Sequence, residues 1–191
     1  MKRTIRISFV CLCLVFSSLA WMCQSNDGPI TAVIIQAAGY APGEEAPEDP
    51  DAISQATSEG VNTYTLTDNL IKKLTAEGIQ TKVIGLKEAK EMMPNARIVI
   101  LAAPVYNGKL PEQFSPVMSN LTVNPKSVIT CLMPCGTPES GAEAAKLISE
   151  QLAKAGHRVV DGLSIGNKSE ADQIETVLAD LTSRLIAEVK K

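Results

Sequence analysis

The chain has 191 residues, of which 45% are hydrophobic and only 4% aromatic, so a single domain with an aliphatic core is expected. Its formal net charge is −3, and no basic stripe runs through the sequence. This charge pattern excludes the usual electrostatic footprint of a nucleic-acid-binding protein. No internal repeat is visible, and the pattern of elements predicts one domain over residues 30–191.

The first 23 residues have the pattern of a targeting segment. A basic start, MKRTIR, leads into a long apolar run that ends at Cys23 and the polar sequence QSND. The sequence LAWMC at 19–23 resembles a bacterial lipobox, so Cys23 is the expected lipidation site and new N-terminus, followed by a linker at 24–29. Cleavage after SLA at 18–20 and an uncleaved anchor remain open as alternatives. All three place the domain outside the cytoplasm, and the first anchors it to a membrane by lipid.

Short apolar runs alternate with amphipathic patterns from residue 30 onward. They predict strands at 31–36, 80–84, 97–102, 127–133 and 158–165, and helices at 63–77, 87–93, 111–121, 138–155 and 169–189. Five βα units in series predict an α/β domain with a three-layer, doubly wound, five-stranded parallel sheet.

Residues 39–57 interrupt this alternation with a loop that contains three prolines and five acidic residues. The loop is longer than most connections between a strand and the next helix, and such loops are often functional. It could cover a neighbouring site, where its carboxylates would repel an anion, or project as an arm that contacts a partner. Its polarity and prolines favour the projecting arm.

The stretch RIVILAAPVYNGKLP, residues 97–111, indicates a candidate site. Its apolar run suits a strand that is buried on both faces, and Pro104 ends that run. Tyr106, Gly108 and Pro111 then precede a helical pattern. A strand that ends in such a turn before a helix forms a pocket at the carboxyl edge of an open α/β sheet.

Other candidate sites are weaker. Cys131 and Cys135 lie in one predicted strand, where four extended residues span about 13 Å, too far for a disulfide unless the chain turns sharply at Pro134. We therefore expect two free thiols, with Cys131 in the core. His157, the only histidine, precedes the last strand at the amino edge of the sheet, which argues against a histidine-based triad or metal site.

Three segments of the chain resemble the flavodoxin family, and the resemblance covers nearly all of residues 30–191. The first is APVYNGKLP at 103–111, with its PVYNG turn after the third strand. The second is SEGVNT at 58–63, which is similar to the family's phosphate loop ending in TGNT, although Val61 separates the glycine from the asparagine. The third is PCGTP at 134–138, at a strand exit that lines the flavin ring in flavodoxins. The resemblance implies strand order 2-1-3-4-5 and FMN across the carboxyl ends of strands one, three and four.

The resemblance also implies which residues bind the cofactor. They are Ser58, Gly60, Asn62 and Thr63 for the phosphate, and Pro104, Tyr106, Asn107, Gly108, Cys135, Gly136 and Thr137 for the flavin ring. Hydroxyl and amide groups at a helix start suit an anion, but Asn62 or Thr63 could equally serve only to cap the helix. Tyr106 could stack on the ring or simply cover the sheet edge.

These features predict an extracytoplasmic, membrane-anchored, flavodoxin-like protein that binds FMN and passes electrons to an unidentified redox partner. An FMN-dependent oxidoreductase is a variant of this prediction. The alternative is a non-redox binding or scaffold protein that has the same fold without the flavin. The acidic loop favours that alternative, and the PVYNG turn favours the flavoprotein.

Overall fold

The computed structural model describes residues 29–37, 61–91, 96–106, 108–112 and 114–191. The predicted lipidation site Cys23, the acidic loop 39–57 and the predicted ligand residues Ser58, Gly60 and Asn107 lie outside the described residues. The elements are β1 (Thr31–Gln36), α1 (Thr63–Ala76), β2 (Gln80–Gly85), α2 (Leu86–Glu91), β3 (Ile98–Ala102), α3 (Phe114–Asn120), β4 (Val128–Cys135), α4 (Pro138–Lys154), β5 (Arg158–Val159), β6 (Leu163–Gly166) and α5 (Ala171–Val189).

All strands form one parallel sheet. Its order is β2-β1-β3-β4, and both β5 and β6 pair with the outer side of β4. The predicted order 2-1-3-4-5 is therefore confirmed. The carboxyl ends of β1, β3 and β4 lie at the same edge of the sheet, which is where ligands bind in this architecture.

The predicted fifth strand is divided, which makes the sheet six-stranded. Ile129 pairs with Val159, and Leu132 pairs with Leu163. The chain therefore advances by three residues along β4 but by four residues from β5 to β6. The extra residue forms a bulge next to Gly162, where a Cβ would lie 2.0 Å from Cys131 Sγ. Only glycine leaves room for that thiol, and a bulge also blunts the exposed edge of a sheet against pairing with another chain.

The core has one layer on each face of the sheet. On one face, α1 and α5 pack with Ile34, Ile98, Ile100, Leu66, Leu70, Leu181 and Leu185. On the other face, α3 and α4 pack with Ile35, Val99, Leu101, Phe114, Val117, Ile148 and Leu152. Every residue of β3 is buried, as its unbroken apolar run predicts. None of the helices in the described part of the chain is both long and apolar enough to cross a bilayer.

Candidate functional site

Backbone hydrogen bonds join three strand exits and the start of α1 into one carboxyl edge. The Val105 N–H donates to Pro134 O at 2.8 Å, which fixes the β3 exit to the β4 exit. The Asn167 N–H donates to Cys135 O at 2.8 Å, and the Val61 N–H donates to Asn167 O at 3.4 Å. The described parts of the three segments that resemble the flavodoxin family are therefore brought to one edge.

A tight turn after β3 presents Tyr106 at this edge. The N–H and carbonyl groups of Tyr106 and Lys109 bond to each other in both directions, at 2.9 Å each. The turn needs a left-handed residue, which Gly108 supplies with a φ of +74°. The Tyr106 side chain is 53% exposed, whereas Pro104 is buried and contributes packing rather than a contact surface. Among the described residues of this turn, Tyr106 thus offers an exposed aromatic side chain that can contact a planar ligand.

At the β4 exit, Cys135 is buried and the next residue, Gly136, is exposed. Cys135 is only 4% exposed, and its Sγ lies 3.3 Å from Ile165 O. A Cβ at Gly141 would lie 2.4 Å from the same sulfur, so the first turn of α4 packs closely on the thiol. Burial raises the pKa of Cys135. By contrast, Gly136 is exposed and has no atom within 4 Å of the position of a Cβ, which leaves open space beside the backbone.

Thr137 precedes α4 at the β4 exit without capping the helix through its side chain. It occupies the N-cap position, but its side chain makes no capping bond to the helix backbone. Its Oγ1 lies 3.2 Å from Ser140 Oγ, and the Ser140 hydroxyl donates to Thr137 O at 2.9 Å. Thr137 is exposed, so it lies at the edge with its hydroxyl turned to a neighbouring side chain.

Cys131 and Cys135 are free thiols, as the sequence predicts. β4 continues as an extended strand through Pro134 to Cys135, so the sharp turn that a disulfide would need is absent from this strand. Cys131 is 1% exposed, and burial raises the pKa of its thiol to about 12. Neither sulfur is therefore a reactive thiolate at neutral pH.

At the start of α1, Asn62 forms a capping box with Thr65. Asn62 Oδ1 accepts from the Thr65 N–H at 3.0 Å, and the Asn62 N–H donates to Thr65 Oγ1 at 3.1 Å. The interpretation of Asn62 as a helix cap is therefore confirmed. Its side-chain oxygen is engaged in the helix rather than directed at a ligand.

Thr63, the first residue of α1, has an unsatisfied hydroxyl. It is 2% exposed, and its Oγ1 has no hydrogen-bond partner among the described residues. Thr67, one turn later, is equally buried and is also unpartnered at Oγ1 within the described part of the chain. Buried polar groups are nearly always paired, and leaving one unpaired costs about 1–3 kcal/mol. Of the two predicted phosphate residues that the structure describes, Asn62 is engaged in the capping box, whereas the Thr63 hydroxyl is still available for a hydrogen bond.

Sequence reasoning missed several features of this region. Gln36 ends β1 at the carboxyl edge and is 3% exposed; a polar residue that ends an apolar strand is the signal that could have found it. Two grooves also flank the edge strand, away from the predicted residues. One, of about 560 Å³, lies between α4 and the bulge at Gly162, and the other, of about 520 Å³, lies between β6 and α5.

Similarity to known proteins is structural. No protein-family model matches the chain, and no curated protein of similar sequence was found. A flavodoxin from Streptococcus pneumoniae TIGR4 is 18% identical, covering 83% of this chain and 99% of that chain with a TM-score of 0.58. A Fusobacterium nucleatum flavodoxin bound to flavin mononucleotide is 13% identical, covering 83% and 98% with a TM-score of 0.60. Flavodoxin 1 of Bacillus cereus is 16% identical, covering 82% and 97% with a TM-score of 0.57. Together with the strand order, these similarities show that the chain has the flavodoxin-like α/β fold.

Proposed function

We propose that the carboxyl edge of the sheet binds a flavin, with FMN as the expected cofactor, and that the protein transfers electrons through it. The observation that carries this proposal is the buried hydroxyl of Thr63, which has no hydrogen-bond partner among the described residues and lies at the helix start facing the ligand-binding edge of the fold. A bound ligand would supply the missing hydrogen bond. The Fusobacterium nucleatum flavodoxin, which was solved with FMN, supports the choice of ligand.

The residues at the edge fit the parts of a flavin. Exposed Tyr106 offers an aromatic face for the ring, and Gly136 leaves open space for a flat ligand to approach the backbone of the β4 exit. Thr63 Oγ1 can donate a hydrogen bond to the phosphate. When bound, the flavin supplies the redox chemistry, and these residues hold and orient it. With both thiols buried and protonated, neither cysteine supplies a redox step.

A titration of the mature protein with FMN tests the proposal. We expect quenching of FMN fluorescence and binding at micromolar strength or better. The scaffold alternative has its own support, because the N–H groups of Val61 and Asn62 already donate within the protein. Failure to bind at high micromolar FMN would select that alternative.

We propose further that Cys23 is lipidated and anchors the protein to the outer side of a bacterial membrane. This proposal rests on the leader sequence with its LAWMC motif. Replacement of Cys23 by Ser should abolish acylation, because the lipid attaches through the thiol, and should release the protein from membranes. The intact mass of the native protein distinguishes lipidation at Cys23 from cleavage after Ala20. A mass that corresponds to a chain beginning at Trp21 without lipid would rule the anchor out. The redox partner would then be a protein at the same membrane surface.

A further inference from the structure

The amino edge of the sheet lies opposite the carboxyl edge, and the chain enters the domain there. All strands are parallel, and β1 begins at Thr31. The Arg97 N–H donates to Thr31 O at 3.0 Å, so the start of β3 lies beside the point of entry. A lipid on Cys23 would therefore be joined to the domain at its amino edge.

The tether between Cys23 and the domain is short. It comprises residues 24–30, which span about 25 Å at full extension. By comparison, α5 runs from the carboxyl edge to the amino edge, and its 19 residues are about 28 Å long. The loops at both edges add to that height. The tether is therefore too short for the domain to stand on its carboxyl edge at a bilayer.

The charged side chains at the amino edge are mostly basic. They belong to the last turns of helices, to the turns that follow and to the first residues of strands. In the described part of the chain they are Lys73, Glu77, Arg97, Lys126, Lys154, Arg158, Glu188, Lys190 and Lys191. Residues 90–95, which lead into β3, add no net charge. The tether adds one carboxylate, Asp27, and a chain end at Lys191 would add a second, so an excess of positive charge remains.

Hydrogen bonds gather this charge around the end of α5. Arg97 Nη2 donates to Val189 O at 2.9 Å, and Arg158 Nη2 donates to Glu188 O at 2.8 Å and to Glu188 Oε1 at 3.0 Å. Lys191 Nζ donates to Glu188 Oε2 at 2.6 Å, so this carboxylate is shared by two cations. Four lysines of this edge are exposed, and together they form the basic amino edge: Lys126, Lys154, Lys190 and Lys191.

The carboxyl edge has the opposite balance of charge. In the described part of the chain, its strand exits and first helical turns contain Lys87, Glu88, Lys109, Glu112, Glu139, Lys168, Glu170 and Asp172. The end of β1 and the start of α1 also lie at this edge, and residues 38–60 between them include several acidic residues and no basic one. An anionic surface would therefore attract the amino edge and repel the carboxyl edge.

We propose that the basic amino edge docks on an anionic lipid surface, where its lysines contact lipid phosphates, and that the carboxyl edge faces the aqueous phase. The tether part of this inference rests on the proposed lipidation of Cys23, whereas the charge part does not. Clusters of about four to eight Lys and Arg residues bind anionic lipids, and each contributes about fivefold in affinity near the surface. A redox partner would then reach the flavin from the aqueous side.

Cosedimentation of the mature Cys23→Ser protein with vesicles tests the surface separately from the anchor, because this variant carries no lipid. We expect binding to vesicles of phosphatidylglycerol and phosphatidylcholine in equal parts at about 50 mM salt, and its loss at about 0.5 M salt, where screening is strong. Vesicles of phosphatidylcholine alone should not bind the protein. Failure to bind the anionic vesicles, or equal binding to both kinds, would overturn the proposal.

Paired lysine substitutions test which edge makes the contact. Lys154→Gln with Lys190→Gln should weaken binding to the anionic vesicles by at least about tenfold. The matched control, Lys109→Gln with Lys168→Gln, removes the same charge from the carboxyl edge and should leave binding unchanged. All four side chains are exposed, so neither pair disturbs the core. Equal losses in the two pairs would overturn the proposal, because net charge rather than the amino edge would then drive binding.

Amine labelling of the native protein tests its orientation at a membrane. In vesicles that contain phosphatidylglycerol, we expect Lys154 and Lys190 to be protected relative to detergent micelles, and Lys109 and Lys168 to be labelled equally in both. Protection of Lys109 and Lys168 instead would show the reverse orientation and refute the proposal. If the intact mass shows no lipid on Cys23, the anchor proposal is wrong, and the vesicle binding of Cys23→Ser alone decides whether the amino edge docks on lipid.

Discussion

Replacement of Thr63 by Val exchanges a buried hydroxyl for a methyl group of similar size. A buried polar group without a hydrogen bond costs about 1–3 kcal/mol, and Thr and Val have similar helix propensities. Because the Thr63 Oγ1 has no partner among the described residues, we expect the free energy of unfolding of the ligand-free protein to rise by about 1–2 kcal/mol. Most substitutions of a buried residue lower stability, so an increase is a distinctive outcome.

The same substitution should weaken FMN binding. Loss of one hydrogen bond to a charged phosphate costs about 1.5–3 kcal/mol, whereas riboflavin affinity should not change. Thr67 provides the matched control, because it is equally buried at 2% exposure and its Oγ1 is likewise unpartnered within the described residues, one helical turn further from the edge. Thr67→Val should give the same gain in stability and leave FMN affinity unchanged.

Urea unfolding followed by circular dichroism measures the stability change, and fluorescence titration measures flavin affinity. A loss of more than about 1 kcal/mol on Thr63→Val without ligand would refute the reasoning, because it would mean that the hydroxyl has a partner in the folded protein. Equal losses of FMN affinity in Thr63→Val and Thr67→Val would show that the Thr63 hydroxyl does not bind the phosphate specifically.

Three further predictions follow from the geometry. Tyr106→Ala should weaken the binding of FMN and of riboflavin equally, by about 0.5–1.5 kcal/mol, because stacking on the ring is lost. The free energy of unfolding should change little, because the side chain is 53% exposed. A loss of stability above that range in urea unfolding would mean that the Tyr106 ring packs in the core. Gly162→Ala should lower stability by about 1–3 kcal/mol, because its Cβ would lie 2.0 Å from Cys131 Sγ, and the double variant with Cys131→Gly should recover much of the loss in the same assay. Burial raises the pKa of Cys131 from 9.0 to about 12, so the unfolded chain releases the thiol proton first. The contribution of Cys131 to stability should be constant below pH 9 and fall between pH 9 and about 12, and Cys131→Ala should reduce the pH dependence in that range.

The sequence predicted the features that depend on local pattern. The apolar run of β3 and the spacing of Leu66, Leu70 and Leu74 in α1 were sufficient to predict a buried strand and an amphipathic helix, and both occur. The fourth strand was predicted to end at 133, one residue before Pro134. The strand continues to Cys135 because Pro134 pairs with the neighbouring chain segment through its carbonyl, which accepts a hydrogen bond from the Val105 N–H and requires no N–H from the proline.

The features that the sequence did not predict depend on contacts between distant residues. The division of the last strand follows from the approach of Gly162 to Cys131, a pairing that no local pattern reveals. The capping role of Asn62 was one of the alternatives that the sequence left open, and the polar side chain of Thr65 completes the capping box. The bond from Val61 to Asn167 joins segments that are far apart in the chain, so only the fold shows that this loop N–H is engaged.

Nuclear magnetic resonance of the ¹⁵N-labelled mature protein during titration with FMN tests most directly whether the carboxyl edge binds a flavin. The account predicts that the amide signals of Thr63, Tyr106 and Gly136 shift together in a saturable manner. The signals of Ser149, Gly162 and Ile174, which line the two grooves beside the edge strand, should stay in place. Shifts confined to those grooves, or no saturable shift at high micromolar FMN, would contradict the central claim.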